Sequence, residues 1–274
     1  PTVLGPDNEH HSPDYPGVAK ATFETATGAR ALFLQGATGN VGPREGFTGD
    51  LATCERLGSE LGLAAAATFA TLDTRPFDLV YDHARESGAT LAMWRREPRD
   101  EPEIAFAALR TTVALPIVAQ PPVEDTMAAY EHWQRELARV HAERRPKPEI
   151  EATMFHARRA QMAVSRSRTF AGRSTIDVTL HGVRIGDATL ISCNGEPFCE
   201  IGLAVKRDLP ERITFFGGYT GESLGYLPWP DAYEQGGYEV KTSPYTPEAA
   251  PRLVEAAIQL ARALDDASTP PRSG

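Results

Sequence analysis

The sequence has no apolar run approaching the ~18–20 residues that a membrane-spanning helix needs, which removes a transmembrane reading. Its longest apolar block, Leu61 to Ala70, is short, Ala-rich and interrupted by Gly62 and Thr68. Cysteine is scarce. Cys54, Cys193 and Cys199 are too few for a disulfide framework and lack zinc-finger spacing. Cys193 and Cys199 flank Glu196 at a spacing of six, wider than metal-ligand spacing, so they read as buried free thiols. Positive charge is also short: 28 Lys and Arg against 37 Asp and Glu leave a formal net charge of −9, which argues against a general nucleic-acid binder. Gly and Pro, at 23 and 22 of 274 residues, fall below the ~25–30% share that marks low complexity. No signal peptide is visible, and a chain starting at Pro1 rather than Met leaves secreted and cytoplasmic settings undistinguished.

What is present is an ordinary core-forming composition, 41% hydrophobic and 24% charged, with strands and helices mixed along the whole length. This predicts an α/β class with a mixed sheet and flanking helices. One domain is expected over residues 1–266, with a disordered tail over 267–274. Asp14-Tyr15-Pro16 predicts a helix start, Asp14 as cap and Pro16 in the first turn, with the helix running to about Ala26. Ala31 to Leu34 reads as a short buried strand. Leu51, Cys54, Leu57, Leu61, Ala65, Phe69 and Leu72 step by three or four and predict one buried helix face.

Strands are expected over Phe77–Tyr81, Thr90–Trp94 and Ile104–Val113, and charged helices over about Val123–Arg144 and Pro148–Ser165. Between Arg135 and Arg173 there are ten Lys or Arg and four Asp or Glu. A solvated helix pair is the simplest reading of that excess, and an anionic partner is the alternative. Ile176, Val178 and Leu180 alternate with polar residues as in a half-buried strand. His181-Gly182 would turn the chain toward a partner strand, Ala188–Cys193. A Pro-started helix over Pro197–Arg207, a strand over Arg212–Phe216 and a last amphipathic helix over Pro247–Leu264 complete the pattern.

Gly36-Ala37-Thr38-Gly39-Asn40-Val41-Gly42 follows the first expected strand and is similar to the dinucleotide loop of atypical short-chain dehydrogenase-like proteins. Such a loop needs a helix to begin inside it, so that the pyrophosphate meets free amides and the helix dipole. Here residues 43–49 intervene, the acidic ribose partner would fall within a helix, and no Tyr-x-x-x-Lys pair exists. A NAD(P)-dependent oxidoreductase is therefore a secondary reading, and a tight turn or an active-site lining is preferred.

Three ordered stretches carry a different signal. They are Pro1 to Asn8 leading to Ser12–Gly17, then Leu32 to Asn40, then Asn194-Gly195-Glu196-Pro197-Phe198 with Gly225-Tyr226-Leu227-Pro228 and Tyr238-Glu239. Together they resemble the catalytic domain of the neutral/alkaline, non-lysosomal ceramidase family. The resemblance implies a zinc amidase that cuts an N-acyl amide such as ceramide into a fatty acid and a sphingoid base. The family's zinc sits on two His, one Glu and one Tyr. Carried over by motif, Glu196 and Tyr226 are the metal ligands. Tyr238 is a second active-site Tyr, placed to donate a hydrogen bond near the reacting carbonyl.

The two His ligands have no match, and the second would precede Pro1. An upstream segment or companion chain carrying both is thus expected. In the family's loop, Gly42 stands where some members have a nucleophilic Ser, and Asn40 where Asp is usual. That excludes a covalent Ser route at Gly42 and leaves attack by a metal-bound water. The expected partners are a small-molecule or lipid amide, with no nucleic acid. The other reading kept open is a non-catalytic binding protein derived from the hydrolase fold.

Taken alone, Glu196 lies at a strand-end loop, where ligands converge in α/β folds, or else begins a helix. Tyr226 is equally a core phenol. His10-His11 is the only adjacent His pair, and neighbours on an extended chain point opposite ways, so both cannot readily hold one metal. His132, His141 and His156 fall in the charged helices and read as surface residues. Asp7, Asn8 and Arg44 are polar loop residues that could line a cleft.

Overall fold

The computed structural model describes residues 2–5, 8–73, 75–100 and 104–268. Pro1, Asp7 and the segment 269–274 lie outside the described residues, and with them the expectations placed there.

Two helices packed side by side in the same direction, α1 (Asp14–Thr27) and α2 (Leu51–Phe69), form the first unit: Cys54 meets Asp14, Gly58 meets Val18 and Phe69 meets Phe23. Asp50 begins α2 as a true cap, its carboxylate accepting from the Ala52 and Thr53 amides. Asp14 does something else. It is only 6% exposed and holds a positive φ of 52°. Its carboxylate accepts from the amides of Val3 and Leu4 at 3.0 and 2.9 Å, and from Tyr15 at 2.7 Å. The expected local cap is therefore a long-range clasp that pins the N-terminal segment onto the helix pair, with Val3, Leu4 and Cys54 as a small core. Desolvation raises the Asp14 pKa, but the Val3, Leu4 and Tyr15 amides outweigh it and hold the carboxyl below its ordinary value.

The buried face of α2 differs from the expected one. Cys54, Gly58, Gly62 and Ala66 are buried against α1, whereas Leu51 and Leu61 are exposed. Small residues let the two helices approach closely, and that contact outranks the leucine stripe. Ala31–Leu34 forms no strand either. Leu32 is 88% exposed, and only Gly36 makes a β-bridge, to Gly217.

An exposed hairpin follows, β1 (Phe77–Glu86) with β2 (Thr90–Pro98). Next come β3 (Phe106–Pro116) and the helical hairpin α3 (Val123–Ala142) and α4 (Lys147–Phe170). Then follow β4 (Thr175–Ile185), β5 (Ala188–Cys193), the two-residue β6 (Glu196–Pro197), α5 (Cys199–Arg207) and β7 (Ile213–Gly217). The chain ends with β8 (Tyr226–Leu227), the short helices α6 (Ala232–Gln235) and α7 (Tyr238–Thr242), and α8 (Ala249–Ser268). The last helix runs through Ser268.

The main sheet has the order β3-β4-β5-β7. The first two pairings are antiparallel and β5–β7 is parallel, giving the mixed sheet of an α/β fold. Ile176, Val178 and Leu180 point inward, as their alternation predicts, under α8, whose Leu253, Ala257 and Leu260 are buried. Each fully buried aliphatic side chain contributes roughly 1.5–3 kcal/mol. The expected turn at His181-Gly182 is displaced to Gly186, which has φ 58°. Gly182 instead pairs with Ile191 inside the sheet. A Cβ there would stand 2.9 Å from Leu264 Cδ1 and 3.0 Å from Leu260 Cγ, so the residue is small because α8 crosses directly above it.

Among the described residues, no helix is long and apolar enough to cross a membrane.

The Asp14 clasp yields a test. Asp14→Ala leaves the Val3 and Leu4 amides buried without an acceptor and should lower stability by about 2–3 kcal/mol in denaturant unfolding. Because the folded-state pKa is depressed, the wild-type advantage is complete above the ordinary carboxyl value of 3.8 and disappears as pH falls through the lower folded value. The wild-type and variant unfolding curves should therefore converge in strong acid.

Candidate active site

The site grows from residues 194–198, where the chain leaves β5. Asn194 Oδ1 accepts from the Thr179 amide at 2.8 Å and fastens this exit to β4. The Glu196 amide donates to the Gly225 carbonyl at 2.9 Å, and the Phe198 amide to the Leu227 carbonyl at 3.1 Å. These bonds make β6 and β8 a parallel pair with Glu196 directly opposite Tyr226. Residues in register on paired strands point to the same face.

The Glu196 carboxylate gathers hydroxyls. Tyr219 donates to Oε2 at 3.2 Å and Ser223 to Oε1 at 3.1 Å, and the Tyr226 phenol stands near enough to feel its charge. The Tyr226 ring meets the Tyr238 ring edge-on, with centroids 6.1 Å apart. Tyr238 stands at the start of α7, 42% exposed. Three residues separated by up to 42 positions thus share one surface: Glu196 and Tyr226 side by side, Tyr238 at the rim.

The phenols respond to that carboxylate. Burial, and then the Glu196 charge, pushes the Tyr219 pKa up to about 12, and the same two causes raise Tyr226 further. Both are therefore neutral hydrogen-bond donors near pH 7. A cation beside Glu196 would oppose the raising effect of its charge.

Asn40 and Gly42 do not join this cluster directly. Asn40 Oδ1 accepts from the Cys199 amide at 2.8 Å, and its Nδ2 donates to Glu200 at 2.9 Å, so the side chain caps the start of α5. Gly42 lines a separate cavity of about 200 Å³ with Arg44, Thr38 and Tyr15. The Gly-rich loop instead supports the site through its backbone. The Gly39 amide donates to the Pro197 carbonyl at 2.8 Å, and a Cβ on Gly39 would lie 2.5 Å from the Glu196 carbonyl oxygen. No helix begins within this loop, since α2 starts only at Leu51.

Other candidates disperse. His10 and His11 are exposed, and Asn8 donates to the His10 carbonyl. Cys193 is fully buried, its thiol pushed up to about 12 by burial, whereas Cys199 is only half-buried and donates to Glu200. Among the described residues, no three His, Cys, Asp or Glu side chains come together as a metal site. Glu196 and Tyr226 supply two oxygen donors of types compatible with zinc, one short of the usual three protein ligands of a catalytic site. The donor set therefore fits part of a zinc site.

Tyr219 and Ser223 were missed by sequence reasoning. Their signal lay in the Gly-Gly-Tyr-Thr-Gly-Glu-Ser run after β7. Tyr219 adopts φ 62°, a conformation that a bulky residue holds only when its surroundings enforce it.

Two outcomes follow from this geometry. Glu196→Gln removes the negative charge facing Tyr219, so alkaline titration by near-ultraviolet absorbance should place that ionisation below the wild-type value of about 12, with Tyr219→Phe identifying the transition. Burial should still hold it above an ordinary phenol. Separately, titration with NAD(H) and NADP(H) should show no saturable binding. Micromolar affinity for either would restore the oxidoreductase reading of Gly36–Gly42.

No protein-family model matches the chain, and no curated protein matches it in sequence. Among solved structures, neutral ceramidase from Pseudomonas aeruginosa is similar with a TM-score of 0.52 and 14% identity, over 94% of this chain and 42% of that one. A ceramidase complexed with C2 gives a TM-score of 0.48 and 16% identity, over 94% of this chain and 43% of that one. The chain therefore spans less than half the length of these neighbours, and the α/β fold of its residues is similar to that of the Pseudomonas aeruginosa enzyme.

Proposed function

We propose that this chain belongs to a zinc-dependent hydrolase of linear N-acyl amides, with a lipid amide of the ceramide type as substrate. The observation that supports it most is the meeting of Glu196, Tyr226 and Tyr238, three residues picked out by motif resemblance and far apart in sequence, on one surface. The fold likeness to a neutral ceramidase supports the same reading.

In this proposal Glu196 and Tyr226 hold the metal together with donors from a further segment or a companion chain. When bound, zinc would polarise the amide carbonyl and make water more acidic. Tyr219 and Ser223 hold the Glu196 carboxylate in one orientation. Tyr238, exposed and beside Tyr226, donates a hydrogen bond to the carbonyl oxygen as negative charge develops there. Water adds to the carbonyl carbon, the C–N bond breaks, and the products are a carboxylate and an amine. Gly42 has no hydroxyl to attack with. The exposed Leu32 and Leu34, beside the edge strand β7, provide an apolar seat for the segment that brings the missing donors.

Hydrolysis of a short-chain N-acyl sphingoid amide, with zinc content measured in parallel, tests the reading. Tyr238→Phe should lower kcat by about 10²-fold while leaving zinc content unchanged. Glu196→Gln and Tyr226→Phe should lower both. Full activity in Glu196→Gln, or in protein stripped of metal by a chelator, would overturn the proposal. Intact-mass analysis and N-terminal sequencing of the active species should find the segment with the further donors. Full activity with tight zinc binding in a species starting at Pro1 would place those donors within this chain.

A further inference from the structure

Of the ten basic residues between Arg135 and Arg173, four are ion-paired along the helices: Arg135 with Glu131, Arg139 with Glu136 and Glu143, Arg145 with Glu149, and Lys147 with Glu151. Further along α4, Arg158, Arg159, Arg166 and Arg168 have no ion pair among the described residues. Two of these, Arg159 and Arg166, line a cavity of about 820 Å³ between the helical hairpin, the loop 222–225 and α7, to which Lys241 also contributes. Glu222 is the one acidic residue on its wall, leaving a cationic chamber in a chain of net charge −9.

Arg166 sits at the centre of this argument. One of its terminal nitrogens donates to the Thr242 carbonyl at 2.8 Å, while its Nε is buried and makes no hydrogen bond. A sheltered guanidinium donor without an acceptor is costly, and a guanidinium edge matches the paired oxygens of a carboxylate or phosphate. Burial, and then the neighbouring charge of Arg159, pulls the Arg166 pKa below its ordinary value, both effects that a bound anion would oppose. The wall also carries the apolar side chains Trp133, Met162, Phe170 and Leu224 among hydroxyl residues, and Trp133 is stacked on His156 with centroids 4.3 Å apart. The volume suits a small molecule with a chain.

We propose that this cavity is a binding site for a single-chain amphiphile with an anionic head, the head on Arg166 with Arg159 and Lys241, and the chain along the Trp133–Leu224 wall. It is distinct from the Glu196 site, although Ser223 and Gly225 border both. The proposal does not depend on the hydrolase reading, because it concerns equilibrium binding alone.

Isothermal titration of the full chain below the micelle concentration, with laurate, dodecyl phosphate and dodecanol, tests it. The anions should bind saturably, and the alcohol at least tenfold more weakly. Comparing the two anions identifies the preferred head. Arg166→Gln should weaken anion binding about tenfold or more. Arg166→Lys should recover part of it, and Lys241→Gln, on the opposite wall, should weaken it without touching the α4 core. Glu196→Gln should bind the anions as the wild type does, which separates this site from the proposed active site. Equal affinity for dodecanol, absence of saturable binding, or indifference to both Arg166→Gln and Lys241→Gln would overturn the proposal.

Discussion

Everything at the candidate site hangs on the backbone of residues 193–198. The Cys193 carbonyl accepts from Thr220, the Asn194 carbonyl from Leu224, the Gly195 carbonyl from Tyr219 and the Pro197 carbonyl from Gly39. The Glu196 and Phe198 amides donate in turn to Gly225 and Leu227. Two remote segments, the Gly-rich loop and the chain between β7 and β8, are tied to one short stretch that continues β5 out of the sheet. Backbone polar groups in such a crossing must be paired or bear a desolvation penalty. Pairing them here fixes where Glu196 and Tyr226 stand. The side chains can be sparse because the scaffold beneath them is fully bonded.

The electrostatics of the Glu196 cluster and of the Arg166 cavity are opposite in sign. Around Glu196 the neighbours are neutral hydroxyls, which satisfy a carboxylate without neutralising it. That leaves a localised negative charge beside phenols whose ionisation is suppressed by the same charge. Across the 222–225 loop, burial and then the charge of Arg159 lower the Arg166 pKa, and neither arginine has an ion pair among the described residues. Along α3 and the start of α4, by contrast, Arg139 and Arg145 are ion-paired with glutamates one turn away. Unrelieved charge of one sign in a cavity fits a ligand of the other sign.

The sequence made the elements legible wherever burial follows a simple period. The alternation at Ile176, Val178 and Leu180 and the partner strand Ala188–Cys193 stand as the pattern indicates, because one face of a sheet under a helix is the environment that period describes. Elsewhere the deciding contact was long-range. Asp14 looks like a local cap, yet its acceptors serve amides ten and eleven residues upstream. The α2 leucines look like a core face, yet the closest helix–helix approach is made by Gly58 and Gly62. Ala31–Leu34 has the composition of a buried strand, yet it forms no ladder with the neighbouring edge strand β7: the chain there makes only the Gly36–Gly217 bridge, and Leu32 and Leu34 are exposed. At the candidate site, motif resemblance picked out Glu196, Tyr226 and Tyr238, which the fold brings onto one surface. Tyr219 and Ser223 were hidden because no periodicity governs a loop whose shape is set by bonds to β6 and its flanks.

The placement of the site follows from sheet direction. β5 and β7 are the parallel pair of the main sheet, and both run out at the same end. The first delivers Glu196 and the second Tyr219, so two residues 23 positions apart reach one point without either strand bending. The Gly36 bridge to Gly217 then sets the Gly-rich loop along the β7 edge and brings Gly39 onto the Pro197 carbonyl. A crevice beyond the carboxyl ends of parallel strands is where α/β sheets expose unpaired backbone and converging loops. Antiparallel neighbours such as β3 and β4 cannot build it, since their ends point opposite ways. A single parallel pairing in an otherwise antiparallel sheet is thus the topological reason that Glu196 and Tyr219 converge, and the reason that the candidate site is placed at Glu196.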